Sequence, residues 1–448
     1  MAGRPSSKKT LGIWMNGELV GHWTFSPTYG HSFAYDSAWI THPRSRSLSL
    51  SLPLSQGMTP FTGSQVESYF DNLLPDSPGI RKRIATRFGA DSVNAFQLLE
   101  KIGRDCVGAI QILPVDSAPP DVRRIEAEPL SEQDIERILD DTVSNQNIGI
   151  PLEEELRISI AGAQEKTALL WHDNQWCRPH GTTPTTHILK LPMGEVGGMR
   201  ADFSTSVENE WLCAQLVHAY GLPVAECAMA TFGRHKALVV TRFDRMFADG
   251  WWARLPQEDF CQVKGKPPDL KYEAHGGPGM ASILDTLRGS DHAELDRRNF
   301  LKAQLIFCLL AAPDGHAKNF SIFMGAGDHF RATPLYDIMS AWPVIGDGAR
   351  EFQWQKVKLA MALRTRNAHY RMHEIQRRHW NEVAKANALG SDFEDVIEDI
   401  IALTPAVIES VASRLPADFP AKVSAPIFNG LRAQIERLDA AQWYPDLI

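Results

Sequence analysis

The sequence is poor in several things, and each shortage removes a class of protein. Its six cysteines, Cys106, Cys177, Cys213, Cys227, Cys261 and Cys308, are scattered and form no C-x-x-C pair. That spacing neither staples a secreted fold nor builds a zinc site, and it points to a reducing cytosol. Long apolar runs are missing as well: the strongest, residues 305–312, falls far short of the roughly 20 residues a membrane span requires. The amino terminus "MAGRPSSKKTLGIWMNGELVGHW" has basic residues with no apolar stretch behind them, so no export signal is expected. Positive charge is in deficit, 46 Lys and Arg against 54 Asp and Glu, for a formal net charge of −8. That balance excludes a chain that coats nucleic acid by itself, although a local basic patch could still touch it. Internal repeats and low-complexity tracts are absent.

What is present is ordinary globular material. With 448 residues, 44% hydrophobic and 22% charged, the chain can bury a sizeable core in two or three domains. Residues 11–115 read as mixed strands and helices. "RSRSLSLSLPL", residues 44–54, alternates polar and apolar as a half-buried strand does. "SQVESYFDNLLPDSPGIRKRIATRFG" reads as helical, broken at Pro75 and Pro78. The Pro- and acid-rich passage 114–134 is the linker candidate, with a boundary near residue 140. From 155 to 245 short strands are expected at "LRISIAG", "KTALLWH", "THILKLP", "CAMATFG" and "ALVVTRFD". One helix laid on that sheet, "STSVENEWLCAQLVHAYG", has Ser at the cap and Gly221 at the stop. Beyond 280 the pattern is helical, apart from segments around Phe320 and Tyr336.

The stretch "CLLAAPDGHAKNFSIFM", residues 308–324, sets polar residues between two apolar segments. The run before it reads as a buried helix stopped at Pro313, and "NFSIFMGAGDHFRATPLYD" reads as strand, Gly-rich turn, strand, returning the chain to Asp337. Asp314 and Asn319 are five apart in the loop, the spacing of the protein-kinase catalytic loop, whose preceding His-Arg is missing here. Phosphoryl transfer uses one carboxylate to orient a hydroxyl, with an Asn and a second Asp holding Mg²⁺. Asp-Gly is also a common turn dipeptide, and locally a turn and an active site remain equal alternatives.

Three further features bear on the choice. Lys190 lies in "THILKLP" among apolar strand neighbours, where it can hold ATP phosphates with Glu208 or Glu210 of the following helix, or snorkel from an edge strand. "RISIAGAQEKTALL" has a small-residue turn that can lay backbone N–H groups on phosphate, yet it matches neither G-x-G-x-x-G nor Walker A, and by itself it reads sooner as an ordinary hairpin than as a phosphate loop. Between 356 and 380 stand seven basic residues, Lys356, Lys358, Arg364, Arg366, Arg371, Arg377 and Arg378, against the single acid Glu374. They make either a solvated face or a phosphate-facing patch.

Taken together, "SIAGAQEKTALL", "TPTTHILKLP", "ENEW", "VTRFDR", "LPQEDFCQ", "KYEAHGGPG", "DGHAKNFSIF" and "PLYDIMSAWP" resemble the HipA family, the serine/threonine-kinase toxins of HipBA toxin–antitoxin systems. "LSLSLPL", "YFDNLLPDSPGIRKRI" and "IGRDCVGA" resemble that family's amino-terminal domain, and the likeness runs from about residue 11 to 440 in one order. The resemblance implies an α+β, bilobal, protein-kinase-like fold. Its parts would be an amino-terminal α/β domain over 1–140, an N-lobe-like subdomain over 141–262 and a mainly helical C-lobe over 263–448. It implies Asp314 as catalytic aspartate and Asn319 and Asp337 as Mg²⁺ ligands. ATP would meet Ala161, Gly162, Ala163 and Gln164 of a phosphate-binding loop covering 159–166, and Lys190, Arg242, Phe243, His316, Lys318 and Tyr336. Ser159 would be an autophosphorylation site, where an added charge of about −1.5 to −2 would push the loop away from ATP.

The cysteine spacing, the missing export signal and the short apolar runs lead to the expectation of a cytoplasmic protein with no membrane contact. By the resemblance, its partners would be a HipB-like helix-turn-helix antitoxin, operator DNA near the 356–380 patch, and a protein substrate such as glutamyl-tRNA synthetase. The alternatives are a DNA co-repressor bound to antitoxin with little kinase activity, or a small-molecule kinase. One departure is Pro313, where the family more often has a small polar residue; proline fixes φ ahead of Asp314.

Overall fold

The computed structural model describes residues 8–143, 159–162 and 164–441. They divide into two compact units: Met1–Leu191, Ala230–Lys271 and Ser321–Phe330 form the first, and Pro192–Met229, Tyr272–Phe320 and Arg331–Ile448 the second.

The first unit contains a five-stranded sheet in which Phe61–Thr62, Gly30–Tyr35, Glu18–Ser26, Lys9–Met15 and Ile110–Pro114 lie side by side in that order. Its core is aromatic. The Trp23 ring stacks 3.8 Å from Phe70 of the helix Ser64–Asp71 and tilts 4.8 Å from Phe96 of the helix Ala95–Ile102, so one side chain locks two helices to the sheet. Pro78 does not break a helix but begins one. It is the first residue of Pro78–Phe88, Ser77 accepts the Ile80 N–H, and Gly89 closes the helix in the left-handed region.

Residues 44–54 differ from their expected strand. They form turns joined by a single bridge between Ser49 and Leu52, and Ser47 and Ser49 are as buried as Leu48 and Leu52. The Ser47 hydroxyl donates to Asp328 at 2.8 Å, that of Ser49 to Glu258 at 2.5 Å, and that of Ser51 to the Gln262 carbonyl at 2.7 Å. Partnered serines can go inside with their leucine neighbours, so the alternation did not mark a wet face.

A six-stranded sheet follows, ordered Cys227–Phe232, His235–Thr241, His187–Lys190, Lys166–His172, Gln175–Pro179 and Ala127–Pro129. Four strands expected from the sequence are here; residues 156–158 of "LRISIAG" lie outside the described residues. The helix on this sheet is Glu132–Val143, whose Ile135, Ile138 and Leu139 pack with Leu169, Leu189 and Val239. A boundary near residue 140 therefore falls inside a helix. The change of sheet lies earlier, between Pro114 and Ala127, and the linker reading holds only for that shorter passage.

The second unit is mainly helical. Ser206–Ala219 packs against Glu394–Ala412 and Ala421–Ala440, and the buried Tyr220 hydroxyl shares a 2.7 Å hydrogen bond with Thr404. Ser206 is not its cap. The Ser206 hydroxyl accepts the Met193 N–H at 3.0 Å, while Gly221, with φ 82°, provides the expected stop. The hairpin Lys358–Arg364 with Ala368–Arg371 was not foreseen; "LAMAL" is made of helix formers and all five residues are buried, so no period was visible. Among the described residues no helix is long and apolar enough to cross a membrane.

Candidate active site

In the second unit the helix Ala293–Leu309 delivers the polar loop, and it ends four residues before Pro313. Ala311 takes a left-handed φ of 47°. Its N–H donates to the Cys308 carbonyl at 3.2 Å and that of Ala312 to Phe307 at 2.8 Å. This is the pair of bonds that closes a helix when a left-handed residue follows its cap, usually glycine. An alanine there is strained by about 1 kcal/mol.

The loop then folds back on the helix. Gly315 passes so close to Phe307 that a Cβ would lie 2.7 Å from the ring, so no larger residue fits without displacement. Phe320 closes the far side, with its ring 4.9 Å from that of Phe300. His316, Lys318 and Asn319 are buried and held from within. The Asn319 amide donates to the Asp314 carbonyl at 2.7 Å, and the Asn319 N–H to that of His316 at 2.9 Å. The Asp314 side chain, by contrast, is 55% exposed.

The chain returns toward Asp337 through strand, turn and strand, the local pattern the sequence suggested. Gly325 and His329 pair across the turn at 2.6 Å, and the Tyr336 hydroxyl donates to the Lys318 carbonyl at 2.8 Å. Asp337 itself has a left-handed backbone, φ 59°, uncommon for a side-chain-bearing residue and characteristic of functional turns. Just beyond, Ser340 donates to the Leu310 carbonyl at 2.6 Å, Ala341 to that of Ala311 at 2.8 Å, and the Trp342 indole to that of Leu309 at 3.1 Å. These satisfy the helix's last carbonyls. Asn209 of Ser206–Ala219 clasps the Ser340 backbone, receiving its N–H at 2.9 Å and donating to its carbonyl at 2.7 Å. Asp314, His316, Lys318, Asn319, Tyr336 and Asp337 thus belong to one braced structure.

The first unit holds the other expected residues. Lys190 ends the strand His187–Lys190, only 7% exposed, with Lys166 as its partner on the neighbouring strand. Gly162 has φ 112°, a backbone conformation that side-chain-bearing residues rarely adopt, so this turn favours glycine. Gln164 donates to the Leu191 carbonyl at 2.6 Å. Ala163 lies outside the described residues. Ser159 is fully buried: its hydroxyl donates to the Leu73 carbonyl at 2.7 Å and its N–H to that of Asp105 at 3.0 Å. The Gly162 carbonyl accepts the Asp76 N–H at 3.0 Å, which stitches the turn to the amino-terminal segment.

Arg242 has a structural task the sequence did not reveal. Its guanidinium is buried with Arg245 and Arg254 around Asp105 and Asp244. It donates to Asp244 at 2.8 and 2.9 Å and to Thr185 at 2.9 Å. Burial alone would raise both carboxyls, but the neighbouring guanidinium charges outweigh it and hold them below the ordinary range. Burial lowers Arg254 to about 10, against the pull of Asp105. Phe243 is half-buried and meets Phe323 edge-on at 5.7 Å.

The 356–380 patch is partly neutralised. Arg364 pairs with Glu273, Arg371 with Glu374, and the buried Arg377 with Glu394 and Glu398. Lys356, Lys358, Arg366 and Arg378 stay exposed.

One residue of the second unit escaped the sequence reading. The Tyr272 hydroxyl donates to Asp314 Oδ1 at 2.5 Å, and its ring meets that of His316 edge-on at 5.1 Å. The signal lay in "KYEAHGGPG". Glu273 accepts the Ala362 N–H at 2.6 Å and Arg364 at 2.5 Å, Gly276 has φ 95°, and a Cβ on Gly279 would collide with the Glu273 carboxylate.

Comparison with known proteins bears on this geometry. The family described as HipA-like C-terminal domain matches residues 158–408, and the HipA N-terminal domain matches residues 11–113. The protein Y4mE of Sinorhizobium fredii is 35% identical over 340 residues, 74% of this chain and 77% of its own. The serine/threonine-protein kinase toxin HipA of Shewanella oneidensis is 31% identical over 380 residues, 80% of each chain. A solved HipA chain, from a complex of Shewanella oneidensis MR-1 HipA, HipB and operator DNA, superposes with a TM-score of 0.76 at 24% identity over 96% of this chain and 97% of that one. The α+β, kinase-like fold expected from the sequence is the fold this likeness establishes.

Proposed function

The chain belongs to the HipA family, and from that premise we propose that it is a Mg-ATP-dependent serine/threonine protein kinase and the toxin of a type II toxin–antitoxin pair. The observation that carries the reading is Asp314: an exposed carboxylate on a loop whose other polar side chains are buried. Such a group is placed to receive the proton of a substrate hydroxyl.

Two residues fit magnesium. The Asn319 amide nitrogen is tied to the Asp314 carbonyl, which leaves its oxygen for a cation, and Asp337 adds a carboxylate. One or two protein oxygens are what Mg²⁺ takes when phosphates and water complete its shell. Bound Mg-ATP supplies the transferable phosphoryl group and screens its charge. Lys190 neutralises phosphate oxygens, the Gly162 turn offers backbone N–H groups with Gln164 beside it, and Asp314 orients the hydroxyl. His316 and Lys318 brace the loop, with Lys318 anchored through Tyr336.

Ser159 is the proposed autophosphorylation site. Its hydroxyl hydrogen lies on the Leu73 carbonyl in a fully buried setting, which disfavours a doubly charged phosphate. Phosphorylation therefore requires this segment to leave the amino-terminal fold, and the added charge keeps it out. We assign glutamyl-tRNA synthetase as the protein substrate, a HipB-like antitoxin as the partner, and cytoplasmic growth arrest as the setting. A co-repressor role coexists with this, favoured by the exposed Lys356, Lys358, Arg366 and Arg378 as phosphate contacts. Asp314→Ala separates the two roles. Phosphoryl transfer and toxicity should vanish while antitoxin binding and operator shift persist, and undiminished toxicity would overturn the kinase reading.

A further inference from the structure

We propose that Tyr272 is a positioning residue for Asp314, a role that rests on the kinase reading above. Asp314 is the exposed member of its loop, and an exposed carboxylate on a side chain with two free torsions samples several orientations. The only hydrogen bond to its carboxylate among the described residues comes from the Tyr272 hydroxyl, at 2.5 Å to Oδ1. His316 Nε2 lies on the side of the same oxygen, at 3.8 Å. Oδ1 is thus engaged, and Oδ2 is left as the acceptor for a substrate hydroxyl.

The tyrosine is itself fixed. Its ring meets those of His316 at 5.1 Å and His275 at 5.8 Å edge-on, and its carbonyl accepts the N–H groups of His275 and Gly277, each at 3.0 Å. The adjoining Glu273, with a side chain 7% exposed, ties this turn to the strand Lys358–Arg364. The whole "KYEAHGGPG" turn is then a bracket that brings a phenol to the one loop carboxylate the loop does not hold. Positioning groups of this kind act on the rate of the chemical step rather than on binding of the nucleotide.

The test is Tyr272→Phe, which keeps the ring and removes the hydroxyl. Initial rates of γ-phosphate transfer from labelled Mg-ATP to casein and to the protein itself are measured for parent and variant, with thermal midpoints and Mg-ADP affinity by calorimetry. The role predicts kcat lower by about 10-fold or more, with the KM for ATP, the Mg-ADP affinity and the midpoint unchanged. An equal rate overturns the role. A faster rate also overturns it, because the hydroxyl would then be a plug on Asp314. Loss of nucleotide affinity or of midpoint alongside kcat assigns Tyr272 to the fold and overturns it too. A parent that transfers no phosphate to either acceptor removes the kinase reading itself, and this role with it.

Discussion

Asp105 and Asp314 are both aspartates set among apolar segments, and they differ in how many of their oxygens the protein itself occupies. Asp105 Oδ1 receives Arg245 at 2.9 Å and Arg254 at 3.2 and 3.3 Å, while Oδ2 receives the Thr185 hydroxyl at 2.7 Å, its N–H at 3.0 Å and Arg242 at 3.4 Å. Asp314 receives one phenol on one oxygen. A saturated carboxylate is a structural member; an exposed one left with an unoccupied oxygen is available for chemistry. Proximity to a family motif does not make the distinction, since Arg242 lies in "VTRFDR" and its guanidinium is wholly engaged in the Asp105 cluster.

The contrast can be broken from either side. Asp314→Ala should lower phosphoryl transfer by about 10²–10⁴-fold and leave the urea midpoint nearly unchanged, as assays of both on one preparation would show. Asp105→Ala should do the reverse. It leaves the buried Arg254 without a carboxylate partner and leaves Arg242 and Arg245 to share Asp244, so a loss of about 3–5 kcal/mol is expected in urea unfolding. The parent protein should also lose stability in acid, because carboxyls held below their ordinary range stabilise the fold above that range and cease to do so as pH falls through it.

Glu258 gives a smaller effect of opposite sign. Burial raises its carboxyl to about 8, more than the bonds from Ser49 and Leu50 restore. The folded protein therefore keeps a proton that the unfolded chain loses, and this contribution fades as pH rises through about 8. Glu258→Gln should flatten the decline between pH 6 and 9, by an amount on the order of 2–4 kcal/mol, read from urea midpoints at the two pH values. Smallest is Ala311→Gly. Relieving a left-handed alanine should raise stability by about 1 kcal/mol or less, in thermal or urea unfolding, without altering phosphoryl transfer.

Legibility in the sequence followed the range of the forces involved. The Asp314–Asn319 spacing, the hairpin back toward Asp337, the strand carrying Lys190 and the glycine stop at Gly221 are local, and the chain pattern showed them. Serines of 44–54 took their partners from Glu258, Asp328 and Gln262, some 200 to 280 positions away, and no window of sequence contains that information. Pro313 was read as a helix stop because proline forbids helix; the chain had already turned at Ala311, which no propensity favours. Tyr272 donates across 42 positions to Asp314. The phenol was visible in the sequence, and its target became so only in three dimensions.

The central claim is that Asp314 directs ATP's phosphoryl group onto a protein hydroxyl. The direct measurement is phosphosite mass spectrometry after incubation with Mg-ATP and glutamyl-tRNA synthetase, run in parallel for the parent and Asp314→Ala. The account predicts phosphate on the synthetase and on Ser159 with the parent and on neither with the variant. Equal phosphorylation by the two proteins would contradict it.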